Sequence, residues 1–151
     1  SGWEKLQRGV RPSPEEEEKI RAIDALTEEF LGADKYVFVT PMWNLSVPPM
    51  MKAYLDTIVV AGKTFYYTDQ GPVGLVKGKK ALHIHARGGY YSRPPMAEME
   101  FADRYIRALL SFLGIDVVSS VICEGHEHTP ALADAILRAA LAEARRAAAE
   151  F

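Results

Sequence analysis

Three short apolar runs separated by stretches of helical period constrain this chain more than any other feature. The runs are Tyr36-Val37-Phe38-Val39-Thr40, Ala81-Leu82-His83-Ile84-His85-Ala86 and Val117 to Cys123. The first does not alternate apolar with polar residues, which suits a strand covered on both faces, as in a parallel sheet. Ahead of it, Ser13-Pro14-Glu15-Glu16 predicts a helix start. Serine caps, proline fits the first helical position, and the glutamates face the positive end of the helix dipole. Ile20, Ile23, Leu26, Phe30 and Leu31 then recur at helical spacing up to Gly32. Pro48 and Pro49 open a second helix with Met50, Met51, Tyr54, Leu55 and Ile58 on its apolar side. A third is predicted over Met96 to Leu113, ended by Gly114, and an alanine-rich fourth over Pro130 to Phe151. Helix and strand therefore alternate, which predicts an α/β fold with a parallel sheet and right-handed crossovers. Residues 1 to 13 read as a loop, and Gly62 to Gly78 as a long connection of the kind that usually serves function.

The 151 residues form one expected domain, 1 to 151, long enough to bury a sizeable core. A net charge of −2 gives no electrostatic case for nucleic acid. The single cysteine, Cys123, reads as a buried thiol and excludes an internal disulfide and any multi-cysteine zinc motif. No apolar segment approaches the roughly 18 residues of a membrane span, so no membrane partner is expected. No signal peptide is visible, which makes the cytoplasm the expected compartment.

Two loops follow strand ends, where open α/β sheets bind their ligands. After Thr40 comes Pro41-Met42-Trp43-Asn44-Leu45. Asn44 offers two donors and an acceptor that can read the polar edge of a ring, with Trp43 and Leu45 as walls. The same segment also fits an ordinary strand-to-helix turn capped by Asn44. After Ala86 comes Arg87-Gly88-Gly89-Tyr90-Tyr91-Ser92, where glycine lets the backbone approach a ligand. Arg87 either offers its planar fork to that ligand or pairs with a carboxylate. His83 and His85 share one face of their strand and read as a buried, hydrogen-bonded pair rather than metal ligands. His126 and His128, around Glu127, read as a solvent-facing loop. No G-x-S-x-G, P-loop or G-x-G-x-x-G is present. An aromatic, amide-rich site with few acid or base groups suits a cofactor that brings its own reactivity.

The ordered set Val39-Thr40-Pro41-Met42-Trp43-Asn44-Leu45-Ser46-Val47-Pro48, Gly62-Lys63-Thr64-Phe65-Tyr66-Tyr67, Gly71-Pro72-Val73-Gly74-Leu75-Val76-Lys77-Gly78-Lys79-Lys80, Arg87-Gly88-Gly89 and Leu110-Ser111-Phe112-Leu113-Gly114-Ile115 resembles the FMN-dependent NADH:quinone oxidoreductase and azoreductase family. The resemblance runs from about Pro14 to the end. It implies a flavodoxin-like three-layer α/β/α sandwich, a homodimer with FMN at its interface, and ping-pong hydride transfer from NAD(P)H through the flavin to a quinone or azo compound. By the same resemblance Pro41, Met42, Trp43, Asn44 and Leu45 line the flavin ring on one side, and Ala86, Arg87, Gly88 and Gly89 on the other. Ala86 stands where the family usually has serine. Tyr91 is a further flavin-side candidate, and Phe65 and Phe112 match aromatic positions of the substrate pocket, partly from the neighbouring subunit. No obligatory catalytic acid and no metal are implied. The family begins with a strand and a serine-rich loop that holds the FMN phosphate at a helix N-terminus, and neither is found here. Of five strands in the order 2-1-3-4-5 the first two are missing, so roughly a quarter of the natural protein is expected to lie outside this sequence. The strand Tyr36 to Thr40 would then become an edge. The alternatives are a non-enzymatic fragment of the fold and a flavodoxin-type electron carrier.

Overall fold

The computed structural model describes residues 2–151. Ten elements are labelled in chain order: α1 (Gly2–Gln7), α2 (Pro14–Gly32), β1 (Lys35–Pro41), α3 (Pro49–Ile58), β2 (Phe65–Thr68), β3 (Gly71–Gly74), β4 (Lys80–Arg87), α4 (Asp103–Phe112), β5 (Val117–Glu124) and α5 (Ala133–Glu150). Strands β1, β4 and β5 form one parallel sheet in the order β1-β4-β5, as the alternation required.

The start of α2 carries both halves of a capping box. Glu16 N–H donates to the Ser13 hydroxyl and Ser13 N–H donates to the Glu16 carboxylate. One face of the sheet, carrying Tyr36, Phe38 and Ala81, joins Phe30 of α2, Leu55 and Ile58 of α3, and Ile106 and Leu110 of α4 in the main core. On the other face Leu82 and Val121 are buried, and α5 packs along β5.

Six expectations need correction. The loop expected for residues 1 to 13 contains α1, which Lys5 ties to Glu16 of α2 by a 2.7 Å ion pair; Ser1 lies outside the described residues. The long connection from Gly62 to Gly78 folds back as an antiparallel hairpin of β2 and β3. Gly74 of that hairpin touches the main chain of Leu113 and Gly114, and Val76 N–H donates to the Leu113 carbonyl. The helix predicted over Met96 to Leu113 divides into a 3-10 turn, Met96–Met99, and α4. The reason is Glu100, whose carboxylate accepts from the N–H groups of Ala102, Asp103 and Arg104 and so fixes the helix start. The terminal helix likewise begins with a 3-10 turn, Pro130–Leu132. Finally, β1 is covered on one face only. Its burial alternates strictly, with Val37 53% and Val39 64% exposed, because α5 lies along β5 rather than beneath β1. Its position as an edge strand agrees with the expectation drawn from the resemblance. Cys123, expected to be buried, is partly exposed.

Candidate functional site

The carboxyl ends of β1 and β4 lie side by side, with Pro41 in register with Ala86. Met42 N–H donates to the Ala86 carbonyl at 2.8 Å and staples the two following loops together. In the first loop Trp43 and Ser46 exchange N–H to carbonyl bonds of 2.9 and 3.0 Å around Asn44 and Leu45. Both central residues have positive φ, 47° for Asn44 and 70° for Leu45. A two-residue turn of that hand needs φ above zero twice. Asparagine tolerates it, whereas leucine is strained by about 1–2 kcal/mol. Phe101 N–H donates to the Leu45 carbonyl at 3.0 Å and helps to hold the leucine there. Such strain persists where the surroundings over-determine it, commonly at functional sites.

The two loops enclose a cavity of about 380 Å³ lined by Met42, Asn44, Leu45, Gly88, Gly89, Tyr91 and Glu127. Six of these were singled out in the sequence, and the sheet topology brings them together. Among the described residues the Asn44 carboxamide has no hydrogen-bond partner, nor do the N–H groups of Gly88 and Gly89. Unpaired donors and an acceptor beside Met42 and Leu45 fit the polar edge of a planar heterocycle such as the FMN ring. A second cavity of about 340 Å³ adjoins it, sharing Gly89 and Tyr91 and adding Tyr90, Met96 and His128.

Other expected site residues sit elsewhere. Pro41, the last residue of β1, and Ala86, the last but one of β4, lie outside the cavity lining, and Trp43 is 58% exposed. The Arg87 guanidinium does not enter the cavity. It is buried, donates to the Glu124 carboxylate at 2.9 Å and to the Ser92 hydroxyl at 2.7 Å, and lies 3.5 Å from Glu100. Glu124 also accepts from the N–H groups of Tyr91 and Ser92, so one carboxylate clamps the whole second loop. Burial works to raise the Glu124 carboxyl, but the Tyr91 amide, Ser92 and Arg87 outweigh it and hold it below the ordinary value. Phe65 and Phe112 do not line the cavity within one chain. Their rings pack at 4.8 Å, and Phe65 lies in the main core.

His83 and His85 form the expected buried pair. A carboxylate and a carbonyl can only accept, so His83 donates from Nδ1 to Asp103 at 2.8 Å and His85 donates from Nδ1 to the Thr40 carbonyl at 3.1 Å. The Thr40 hydroxyl then donates to His83 Nε2 at 2.8 Å and accepts from His85 at 3.0 Å. Nε2 of His85 has no partner and faces Glu100 across 4.0 Å. Burial, then the neighbouring His83 and Arg87, push the His85 imidazole down to about 4.

Sequence reasoning missed Glu124 and Glu127. Glu124 stands opposite Arg87 in the strand register, a signal available once the strands are paired. Glu127 was absorbed into a loop read as solvent-facing. Its N–H and that of His128 both donate to the Gly88 carbonyl, which folds this segment over the second loop.

A family model described as a flavodoxin-like fold matches residues 4–148. An FMN-dependent NADH:quinone oxidoreductase of Staphylococcus haemolyticus is 50% identical over 151 residues, which are 100% of this chain and 73% of that protein. FMN-dependent NADH:quinone oxidoreductase 2 of Bacillus subtilis is 51% identical, with 100% and 73% covered. Among solved structures, an azoreductase from Bacillus anthracis superposes with a TM-score of 0.94 at 41% identity, covering 99% of this chain and 72% of that one. An FMN-dependent NADH-azoreductase of the same species in complex with FMN superposes with a TM-score of 0.84 at 33% identity, covering 95% and 70%.

Proposed function

Since the chain belongs to the family of FMN-dependent NADH:quinone oxidoreductases with a flavodoxin-like fold, we propose that it is an oxidoreductase that uses FMN to move reducing equivalents from NADH to quinones or azo compounds. When bound, FMN supplies the two-electron chemistry, alternating between NADH and acceptor in a ping-pong cycle. The protein supplies position. The Asn44 carboxamide and the N–H groups of Gly88 and Gly89 read the polar edge of the ring. Met42 and Leu45 keep water from it, and Tyr91 separates the two adjoining cavities. Pro41, Trp43 and Ala86 act through the backbone they place, and Arg87 through its hold on the second loop. A homodimer belongs to this reading, with the hairpin that carries Phe65, packed on Phe112, and whose Tyr67 is 72% exposed turned toward the partner's site. The use of NADH supports a cytoplasmic location.

The observation that carries the reading is the convergence of two sequence-distant loops on one cavity with unpaired amide groups. Titration of the protein with FMN, followed by quenching of flavin fluorescence, tests it together with NADH oxidation in the presence of a quinone. Asn44→Gly keeps the positive φ of the turn and removes the carboxamide. It should weaken FMN binding about tenfold, the worth of one good hydrogen-bonding group in a desolvated site. Unchanged affinity would remove Asn44 from the site.

A further inference from the structure

Of the residues lining the cavity between the two loops, Glu127 alone carries a charge. Its place is built. The Glu127 and His128 N–H groups converge on the Gly88 carbonyl, each at 3.1 Å. A Cβ added to Gly88 would stand 2.2 Å from Glu127 Oε2, so the carboxylate lies directly over the glycine and uses the space a side chain would fill. The neighbouring charges are committed to one another: Arg87 to Glu124 and Glu100, and Glu100 to the first turn of α4. No ion pair or side-chain hydrogen bond engages Glu127 among the described residues. Its charge is therefore uncompensated by protein and directed at whatever fills the cavity.

We propose that Glu127 sets the electron affinity of the bound flavin, holding its reduction potential down. This role rests on FMN occupying the cavity as proposed above. Uptake of a hydride, two electrons and one proton, adds one negative charge to the ring system. A carboxylate sharing the cavity opposes that charge and favours the oxidised over the reduced cofactor. A low-potential flavin gives up electrons readily to a weak oxidant, so the residue biases the enzyme toward acceptors that are hard to reduce. Because Glu127 is exposed to solvent, the effect is moderate and screened by salt.

The test is the midpoint potential of the FMN-loaded protein, measured by equilibration with a reference dye during stepwise reduction, for the parent, Glu127→Gln and Glu127→Asp. Glu127→Gln should favour reduced over oxidised FMN about tenfold relative to the parent, an upward shift of about 30 mV for a two-electron couple. Glu127→Asp should retain most of the parent potential, and the Gln shift should shrink in high salt. A merely structural role for Glu127 would change the affinity for both redox forms alike and leave the potential where it was. FMN-loaded Glu127→Gln with the parent's potential would overturn the inference and leave the site standing. A parent chain that takes up no FMN would overturn the site and the inference together.

Discussion

Keeping the His85 imidazole neutral makes the stability of the fold depend on pH in a way that one substitution can cancel. The ring is fully buried, and its ordinary value of 6.5 is pushed down to about 4. Desolvation is the main cause, followed by His83 and Arg87, while Glu100 and the Thr40 carbonyl pull the other way. Below the ordinary value the unfolded chain binds a proton that the folded chain refuses. The stability held by this ring is therefore complete above 6.5 and lost as the pH falls toward 4. At about 1.4 kcal/mol per unit the whole shift is worth about 3 kcal/mol, of which about 2 kcal/mol is gone by roughly pH 5. His85→Asn retains a donor for the Thr40 carbonyl and does not titrate. Its smaller side chain costs a pH-independent amount. Equilibrium urea unfolding at about pH 7.5 and about pH 5, at one protein concentration and without added FMN, gives both terms. Acidification should cost the parent about 2 kcal/mol more than the variant. Asp103 and Glu124, held below the ordinary carboxyl value, add a dependence of the same sign that both proteins share. Equal losses in the two proteins would refute the claim that the fold excludes a proton from His85.

Two glycines to alanine should behave oppositely. A Cβ on Gly74 would stand 2.3 Å from the main chain of Leu113 and Gly114, so the hairpin must lift from α4; a loss of about 2 kcal/mol or more is expected in urea unfolding. On Gly88 the added atom meets one side chain, Glu127, at its movable carboxylate and, at 3.0 Å, its Cβ; the stability loss should be smaller than for Gly74 while FMN affinity in a fluorescence titration falls severalfold. The reverse ranking would contradict both placements. Glu124→Ala leaves the buried Arg87 guanidinium with only Glu100 at 3.5 Å and the Ser92 hydroxyl and should cost about 2 kcal/mol. It should also speed hydrogen exchange at the amides of Tyr91 and Ser92, and unaltered exchange there would show that the carboxylate does not clamp the loop.

The sheet was legible because its strands are marked twice, by β-rich apolar composition and by turn residues at both ends. The helix starting at Pro14 was equally plain, since serine, proline and glutamate each announce its first turn. What escaped depends on partners distant in sequence. Gly2–Gln7 forms a helix although it is short and begins with glycine, because α2 offers Glu16 to Lys5. The break before α4 hangs on the Glu100 side chain turning back on three amides, which periodicity does not register. The direction of Arg87 depends on a carboxylate 37 residues away. The candidate site was read in outline from its backbone-bearing residues. Its charged members were misjudged or overlooked, because a charge declares its role only through what faces it.

The turn at Asn44 and Leu45 has a consequence for anyone who would stabilise this protein. Glycine at position 45 would relax the left-handed leucine, and a search for thermal tolerance would find that change attractive. The relaxed hinge would also let the asparagine wander. At this corner sturdiness and aim are opposed, and variants chosen for heat alone should drift toward blunted recognition.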